Sequence, residues 1–423
     1  MANIPVTSFD STFLFLQDPY HFVWRTCDQE KTNIFQTRIM GRKTICLTGH
    51  EAAKFFYNEP RLVRKGGMPE PLVSTLMGKG GIQNIDGEKH KRRKKMFMLM
   101  MTPQNVKYLV DLVEFHWEKA LPAWSGKKEI LLYDELMPIL TQSVCEWAGI
   151  PLPRSEVGKQ TARLRSLFDD AGRGARNLRA RWARRQVQNW IGDIVCRERN
   201  GFMKLPDGSP AKLIAWYQDE DGQYLSEKNA ADEIINLLRP TVAVAVYMTF
   251  VAHALYEHSH YQSKIARKSD IFNTFFAQEV RRFYPFFPAV SARVQSQFEW
   301  NGYVFPEGAR VLLDLHGINH DPRVWNSPQT FFPERFQLWN GDLYNFVPQG
   351  GGDHWTQHRC PGERITIELM KMASVFLATR ISYTLPNQEM SIDERRLPAL
   401  PKSHFVMSNV KLKVGRLDQP LQI

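Results

Sequence analysis

The chain has 423 residues, of which 43% are hydrophobic and 23% charged, a composition typical of globular proteins that excludes an intrinsically disordered chain. Its net charge of +11 comes largely from two basic clusters, at 89–95 and 173–185, and neither is interleaved with the aromatic side chains on which nucleic-acid bases stack. We therefore predict no nucleic-acid partner and interpret the charge as solvated helix faces or as attraction of an anionic substrate.

Cysteine usage and hydropathy indicate the cellular setting. The five cysteines are scattered and include no Cys-x-x-Cys pair, which disfavours a disulfide framework or a zinc site and favours a reducing environment. No signal peptide is evident before Pro19, and the most apolar stretch, 241–255, is shorter than the ~20 residues that a membrane-spanning helix needs. The sequence predicts a cytoplasmic protein without a membrane span.

In chain order, the first predicted sheet element is a β-hairpin over 34–47, where apolar and polar residues alternate. A basic helix is predicted to begin near Lys89. Two long helical segments follow, over 103–148 and 154–200, and Pro151-Leu152-Pro153 separates them.

The most apolar helix is predicted to run from Asn229 to about Tyr256. Ser226 is a suitable N-cap for it, and the residues after Thr241 are apolar on all sides. A helix that is apolar on every side is buried, so this helix is expected to cross the core.

Arg239 and Pro240 lie inside this predicted helix. A proline there removes a backbone hydrogen bond and kinks the axis, at a cost of ~3 kcal/mol. The arginine is charged at neutral pH and therefore needs an anion. That anion is either a protein carboxylate, such as Asp232 or Glu233, or the carboxylate of a substrate, which a guanidinium binds bidentately.

Cys360 follows a glycine-rich loop that starts at Phe346, and it precedes an apolar-periodic run that starts at Ile365. This pattern predicts a loop that presents the sulfur at the first turn of a helix. Backbone N–H groups and the helix dipole favour a thiolate there. A lone thiolate in such a place can serve as the single axial ligand of heme iron.

Three motifs in the last third of the chain together resemble the cytochrome P-450 family. They are Glu279-Val-Arg-Arg282, Phe332-Pro-Glu-Arg335-Phe336 and the loop from Phe346 to Gly362 with its His-x-Cys-x-Gly ending. The long loop, Arg239-Pro240 and Tyr284-Pro-Phe-Phe-Pro288 resemble the bacterial fatty-acid peroxygenase branch. The likeness extends from about residue 10 to residue 410.

The resemblance implies a mainly α fold with a small β part, in which heme lies between the long central helix and the cysteine loop. We expect one domain over 1–423, with a small β-containing lobe around 31–50 plus C-terminal strands, and a large helical lobe around 85–380. Glu279, Arg282 and Arg335 are expected to form an ion-pair cluster that stabilises the fold around the heme loop.

The resemblance also implies a set of cofactor residues for heme b. Cys360 is expected to be the axial ligand of the iron. His90 and Lys94, one turn apart on the basic helix, are expected to contact the heme propionates, although His90 could instead be a surface histidine. Phe346 and Gly352, in the loop before the cysteine, complete the expected cofactor-binding set.

The activity implied by the resemblance is hydrogen-peroxide-dependent hydroxylation of long-chain fatty acids at the α or β carbon. Ordinary members carry an acid–alcohol pair where this chain has Arg239-Pro240, so the substrate carboxylate, held by Arg239, is expected to act as general acid–base. Gln83 is expected to lie over the heme, unless it is a solvent-facing turn residue. Because glutamine cannot shuttle a proton as histidine does, decarboxylation to alkenes is expected to be minor. Phe286 and Phe287 are candidates for the acyl channel or for core packing.

Two other functions remain open on the sequence. One is a conventional monooxygenase supplied with electrons by a reductase, against which the long loop before Cys360 argues. We therefore expect no obligatory reductase. The other is a heme-thiolate sensor without turnover, which is disfavoured because no segment resembles an effector or DNA-binding domain.

Overall fold

The protein was analysed as a computed structural model that describes residues 3–171, 174–219, 221–267 and 269–413. The last residues of the chain, which the sequence predicts to be loose, lie outside these ranges, as does Arg173 of the second basic cluster. The α-helices of the described residues are α1 (Thr12–Gln17), α2 (Phe22–Gln29), α3 (His50–Asn58), α4 (Glu70–Leu72), α5 (Gly87–Met100), α6 (Pro103–Ser125), α7 (Leu132–Ala148), α8 (Arg154–Asp169), α9 (Arg176–Arg199), α10 (Pro210–Ala215), α11 (Glu227–Glu257), α12 (Gln262–Ala266), α13 (Asp270–Phe283), α14 (Leu315–Asn319) and α15 (Glu363–Val375).

The strands are short and form four small sheets. They are β1 (Ile34–Ile39), β2 (Arg42–Leu47), β3 (Leu62–Val63), β4 (Glu129–Leu131), β5 (Ala289–Val294), β6 (Phe298–Trp300), β7 (Tyr303–Phe305), β8 (Arg310–Asp314), β9 (Ile381–Thr384), β10 (Ile392–Asp393), β11 (Leu400–Pro401) and β12 (Val406–Leu412). The fold is therefore mainly α with a small β part, as predicted.

The predicted hairpin is present and belongs to the largest sheet. Strands β1 and β2 pair antiparallel around Met40 and Gly41, which both adopt positive φ angles (54° and 71°), as a tight hairpin turn requires. The sheet has the order β1-β2-β8-β5-β3, in which β2 and β8 are parallel and the other pairs are antiparallel. The C-terminal strands β9 and β12 are not part of it, because β12 pairs with both β4 and β9 in a separate sheet of order β4-β12-β9.

Both long helical segments predicted before residue 200 are interrupted. The first ends at Ser125 and resumes at Leu132, because β4 lies between α6 and α7 and pairs with β12. The second is divided into α8 and α9 around Gly174, which has a φ of +49°. Periodicity did not reveal either break, since the apolar pattern continues on both sides.

The central helix α11 is 31 residues long, and the Ser226 hydroxyl caps it by accepting from the backbone N–H of Asn229 at 3.2 Å. Every residue from Ala230 to Leu255 except Pro240 is buried. By length and composition alone α11 could cross a membrane, but 94% of its most apolar window is buried inside the protein. It is the core helix of the fold, in contact with α7, α8, α9 and α15.

Candidate active site

Cys360 lies three residues before the start of α15, at the loop-to-helix junction that the sequence predicts. Its backbone N–H donates to the carbonyl of Gln349 at 3.0 Å, and Gln349 Nε2 lies 3.8 Å from the sulfur. Burial raises the pKa of the Cys360 thiol, although Lys94 and the Gly362 N–H act in the opposite direction. The Gly362 N–H thus favours the thiolate, as the sequence analysis expects, while burial opposes it, and a cationic ligand on the sulfur would favour the deprotonated form further.

Phe346 and Gly352 shape the loop that leads to the cysteine. Phe346 is buried among Trp325, Phe336 and Trp339, and the Arg281 guanidinium lies 5.2 Å from its ring centroid. Gly352 has a φ of +82°, and a Cβ there would overlap the side chain of Gln357. Both residues thus fix the path of the loop, and direct contact of either one with heme stays a prediction.

His90 and Lys94 on α5 are both buried and lie against the cysteine loop. The His90 ring stacks on His358 with 3.8 Å between the ring centroids. Lys94 Nζ donates to the backbone carbonyls of Gln357, at 3.1 Å, and Arg359. Burial lowers the pKa of Lys94 to about 8 and that of His90 to about 2. The surface-histidine alternative for His90 is excluded.

Arg64 is a further cation in this region that the sequence analysis missed. Its guanidinium lies 4.3 Å from the Phe56 ring centroid and 5.3 Å from that of Tyr57, and no carboxylate pairs with it among the described residues. Its backbone N–H donates to Asp86 at 2.7 Å, which holds the segment near His358. Arg64 lies in an irregular segment without a motif, so only its position directly after a short strand could have drawn attention to it.

Arg239 is buried, with 8% of its surface exposed, and it forms no hydrogen bond or ion pair within the described residues. The two acids proposed as partners are occupied elsewhere. Asp232 accepts from Arg184 and Gln188, while Glu233 accepts from Arg93 at 2.9 Å and from Asn236 at 3.1 Å. These ion pairs exclude Asp232 and Glu233 as the anion that the buried guanidinium needs.

The electrostatic surroundings place Arg239 within range of the cysteine. Burial, followed by repulsion from Arg184, lowers the pKa of Arg239 to about 9, and the interaction with Cys360 acts in the opposite direction. The Arg239 guanidinium, which has no anionic partner among the described residues, is thus close enough to the Cys360 sulfur to interact with it electrostatically.

Unpaired polar atoms mark this part of α11. Gln83 Oε1, Asn236 Oδ1 and Arg239 Nε are all buried without a hydrogen-bond partner in the described part of the chain. Gln83 and Asn236 are neighbours, because a Cβ on Gly81 would lie 2.7 Å from Asn236 Nδ2 and 3.1 Å from Gln83 Oε1. A buried polar atom without a partner costs ~1–3 kcal/mol, so this cluster indicates a site for a polar ligand. It also excludes a purely solvent-facing Gln83.

The two candidate channel residues differ in burial. Phe286 is 8% exposed and stacks on Tyr247 of α11 with 4.2 Å between the ring centroids. Phe287 is 42% exposed and makes an edge contact with Phe286 at 4.7 Å. Phe287 is therefore not a core residue, and the role of both rings in substrate binding stays a prediction.

The expected ion-pair cluster is present. Arg282 donates to both carboxylate oxygens of Glu279 at 2.8 Å, and Arg335 Nε lies 3.1 Å from the same carboxylate. Arg335 also donates to the carbonyl of Asn326 at 2.7 Å. The cluster joins α13 to the segment before the cysteine loop, which is consistent with a structural role.

These residues fit a heme placed between the cysteine loop and α11. A heme of the thiolate-ligated class takes a cysteine sulfur as its protein ligand and is held by cations near its two carboxylates. Cys360 can supply the ligand, and Lys94 and Arg64 can supply the cations. On the other face, the unpaired atoms of Gln83 and Arg239 can bind a polar substrate.

Comparison with known proteins agrees with this arrangement. The cytochrome P450 family model matches residues 275–411. The solved structure of cytochrome P450SP alpha (CYP152B1) in complex with (R)-ibuprophen is 49% identical, covers 96% of this chain and 100% of that chain, and superposes with a TM-score of 0.94. Cytochrome P450EX alpha (CYP152N1) with myristic acid is 39% identical and covers 97% and 100%, also with a TM-score of 0.94.

A more distant relative is abscisic acid 8'-hydroxylase 4 of Arabidopsis thaliana, which is 23% identical over 385 residues, or 83% of this chain and 79% of that protein. The likeness to the CYP152 structures extends over nearly the whole chain at much higher identity. The chain therefore belongs to the cytochrome P450 family, in the branch that contains the CYP152 enzymes, and is a heme-thiolate oxidoreductase.

Proposed function

We propose that this enzyme hydroxylates long-chain fatty acids at the α or β carbon, with hydrogen peroxide as the oxidant and without an obligatory reductase. The observation that carries the proposal is the buried Arg239, which has no anionic partner in the described residues. A fatty-acid carboxylate would supply that partner through a bidentate, charge-assisted pair. Support comes from the CYP152N1 relative, which was solved with myristic acid. A cytoplasmic setting is part of the proposal.

The cofactor in this proposal is heme b with Cys360 as its axial ligand. When bound, the heme supplies the iron at which peroxide oxygen is activated for transfer to a C–H bond. Lys94 and Arg64 would pair with the propionates, because both lie around the cysteine loop without an ion-paired carboxylate among the described residues. His90, whose pKa is lowered to about 2, would contact the propionates as a neutral imidazole.

Proton transfer would be performed by the substrate, since α11 offers no acid–alcohol pair beside Arg239. Pro240 has no side-chain donor, and the nearby Thr241 hydroxyl donates to the Leu237 carbonyl at 2.9 Å. A carboxylate on Arg239 can accept a proton from hydrogen peroxide and return it to the leaving oxygen. General acid–base assistance of this kind is worth roughly 10²–10⁴-fold in rate.

The same arrangement determines where the substrate is oxidised. A carboxylate fixed by Arg239 places the first carbons of the acyl chain closest to the reaction centre, so hydroxylation near the carboxyl group follows from positioning. Gln83 contributes a neutral amide that cannot exchange a proton, which keeps decarboxylation to terminal alkenes a minor outcome. Phe286 and Phe287 would contact the acyl chain.

The experiment is product analysis after incubation of the holoenzyme with hydrogen peroxide and a series of saturated fatty acids. We expect α- and β-hydroxy acids, and their loss in Arg239→Ala and Arg239→Lys, because lysine cannot form the bidentate pair. Arg154→Ala, which removes an exposed arginine at the start of α8, is the matched control and should retain activity. Undiminished peroxide-dependent oxidation by Arg239→Ala would exclude the assigned role.

A conventional monooxygenase is the second candidate, because curated relatives such as the abscisic acid hydroxylase belong to that functional class. The two functions are distinguished by supplying either peroxide alone, or NADPH with a ferredoxin and its reductase. Turnover that occurs only with the reductase system would favour the second candidate.

A further inference from the structure

A buried ion pair lies behind the loop that carries Gln83, and the proposed function has no role for it. Arg93 of α5 and Glu233 of α11 have 2% and 0% of their side chains exposed, and Arg93 Nη1 donates to Glu233 Oε1 at 2.9 Å. Burying two charges is costly even when they are paired, but such a pair can fix one arrangement of the elements that it joins. Here those elements are α5, α11 and the loop between them.

Both members of the pair contact the backbone of this loop, which covers residues 80–83. Arg93 Nη1 donates to the carbonyl of Gly80 at 3.0 Å as well as to Glu233. Burial raises the pKa of Glu233, and the backbone N–H of Ile82 is one of the groups that act in the opposite direction. The ion pair therefore holds the chain at two positions directly before Gln83.

The 80–83 loop lies directly on α11. A Cβ added at Gly80 would overlap Asn229 Oδ1, and a Cβ added at Gly81 would lie 2.7 Å from Asn236 Nδ2. Only a residue without a side chain lets the backbone approach the helix this closely. The position of the loop is thus determined by the side chains of α11 beneath it.

Asn236 provides a second connection between Glu233 and Gln83. Its Nδ2 donates to Glu233 Oε2 at 3.1 Å, so the paired carboxylate also orients this amide. The oriented amide lies against Gly81, and so does Gln83, because a Cβ on Gly81 would be 2.7 Å from Asn236 Nδ2 and 3.1 Å from Gln83 Oε1. Glu233 therefore acts on Gln83 through the loop backbone and through the Asn236 side chain.

We propose that Glu233, held by Arg93, is a positioning residue that fixes Gln83 beside the substrate and thereby sets the ratio of α- to β-hydroxylation. The inference rests on the proposed function, in which Arg239 binds the carboxylate and Gln83 lies near the first carbons of the acyl chain. Gln83 then limits how far these carbons move relative to the reaction centre. A misplacement of about 1 Å changes a rate by roughly 10²-fold, which is enough to select between neighbouring carbons.

The test is the ratio of α- to β-hydroxy acid formed from myristate and hydrogen peroxide by the holoenzyme. Glu233→Gln keeps the shape of the side chain and removes its charge, while Arg93 keeps Asp219 as a partner at 3.0 Å. We expect the ratio to move by at least about threefold towards one, because a less firmly held Gln83 discriminates less between the two carbons. Asp169→Asn, which breaks a different buried ion pair, with Arg396, is the matched control and should leave the ratio unchanged.

A double substitution distinguishes positioning from general loosening of the fold. If Glu233 acts through Gln83, Glu233→Gln should not change the ratio in a Gln83→Ala background, because no side chain is left to position. A further change in that background, or an unchanged ratio in the single Glu233→Gln variant, would overturn the inference. A wild-type ratio near one would overturn it as well, since the loop would then set no selectivity.

Gly81→Ala decides the question should Glu233→Gln fail to fold. The added Cβ would lie 2.5 Å from the Met77 carbonyl and 2.7 Å from Asn236 Nδ2, so it displaces the loop from α11 and leaves both charges of the pair in place. We expect the same movement of the ratio towards one. Gly158→Ala on α8 is the control, because a Cβ there meets no atom within 4 Å. Equal ratios in these two variants would contradict the proposal.

Amide hydrogen exchange of the substrate-free holoenzyme gives a readout that does not depend on turnover. We expect the peptide over 78–84 to exchange on the order of tenfold faster in Glu233→Gln, but not in Asp169→Asn, because a charge-assisted contact to the loop is lost. Unchanged exchange in Glu233→Gln would exclude Glu233 as the residue that holds the loop, whatever the products. Wild-type enzyme that forms no hydroxy acid from peroxide would instead refute the proposed function, whereas an active enzyme with an unaltered ratio refutes the positioning role alone.

Discussion

Replacing Arg239 with leucine should stabilise the substrate-free enzyme while it abolishes activity. Burial lowers the pKa of Arg239 to about 9 from its ordinary 12.5, and this lowering corresponds to roughly 5 kcal/mol of destabilisation of the charged form. Since the guanidinium is charged at neutral pH in both the folded and the unfolded chain, that penalty is fully present there. We therefore expect Arg239→Leu to raise the free energy of unfolding by several kcal/mol, with about 5 kcal/mol as the upper bound.

The sign of the pH dependence provides a further check. Between the folded and unfolded pKa values of Arg239 the unfolded chain binds more protons, so this residue makes wild-type stability increase as pH rises above about 9. The leucine variant should lack that increase. Urea denaturation of the holoenzyme without fatty acid measures both effects, with Arg154→Leu as an exposed control. Saturating myristate should stabilise wild type by about 2.7 kcal/mol at a hundredfold excess over the dissociation constant, but not the variant. A leucine variant less stable than wild type would refute the reasoning.

Three further predictions concern other residues. Burial raises the pKa of Asp314 to about 7, so its contribution to stability is present at acid pH and lost as pH rises through 7. The free energy of unfolding, measured by urea denaturation from pH 4 to 7, should therefore decline less in Asp314→Asn than in wild type. Gln83→His introduces a group that can exchange a proton, and it should increase the alkene fraction among products measured by gas chromatography, whereas Gln83→Asn should not. In Gly352→Ala, the new Cβ would overlap Gln357, and the backbone there has a left-handed conformation that alanine adopts only with strain. We expect the cysteine loop to be destabilised by about 1–3 kcal/mol and heme to be lost faster to apomyoglobin.

The sequence predicted the parts of the site that depend on local chemistry. Cys360 could be located from its glycine-rich loop, and Arg239 from the conflict between a permanent charge and an apolar helix. The first inference rests on a loop-to-helix pattern and the second on the cost of burying a charged group, and each is visible in one stretch of chain. The N-cap at Ser226 and the hairpin turn were predictable for the same reason, because a few adjacent residues determine each of them.

What the sequence did not reveal depends on residues far apart in the chain. The pairing of Glu233 with Arg93 joins positions 140 residues apart, and nothing in either segment predicts the partner. Strand β4 was taken as part of a helix because it has three residues and its partner β12 lies near the C-terminal end of the described chain. The desolvation that raises the pKa of the Cys360 thiol was also missed, because it comes from the whole fold.

Helix α5 has a consequence for how the cofactor is inserted. Lys94 anchors one side of this helix to the backbone of the cysteine loop, and the adjacent Arg93 binds Glu233 of α11 and Asp219 of the preceding connector. One rigid element thus sets the separation between the two walls of the heme slot. A heme that enters between these walls would therefore have to fit the separation that the contacts of Lys94 and Arg93 set.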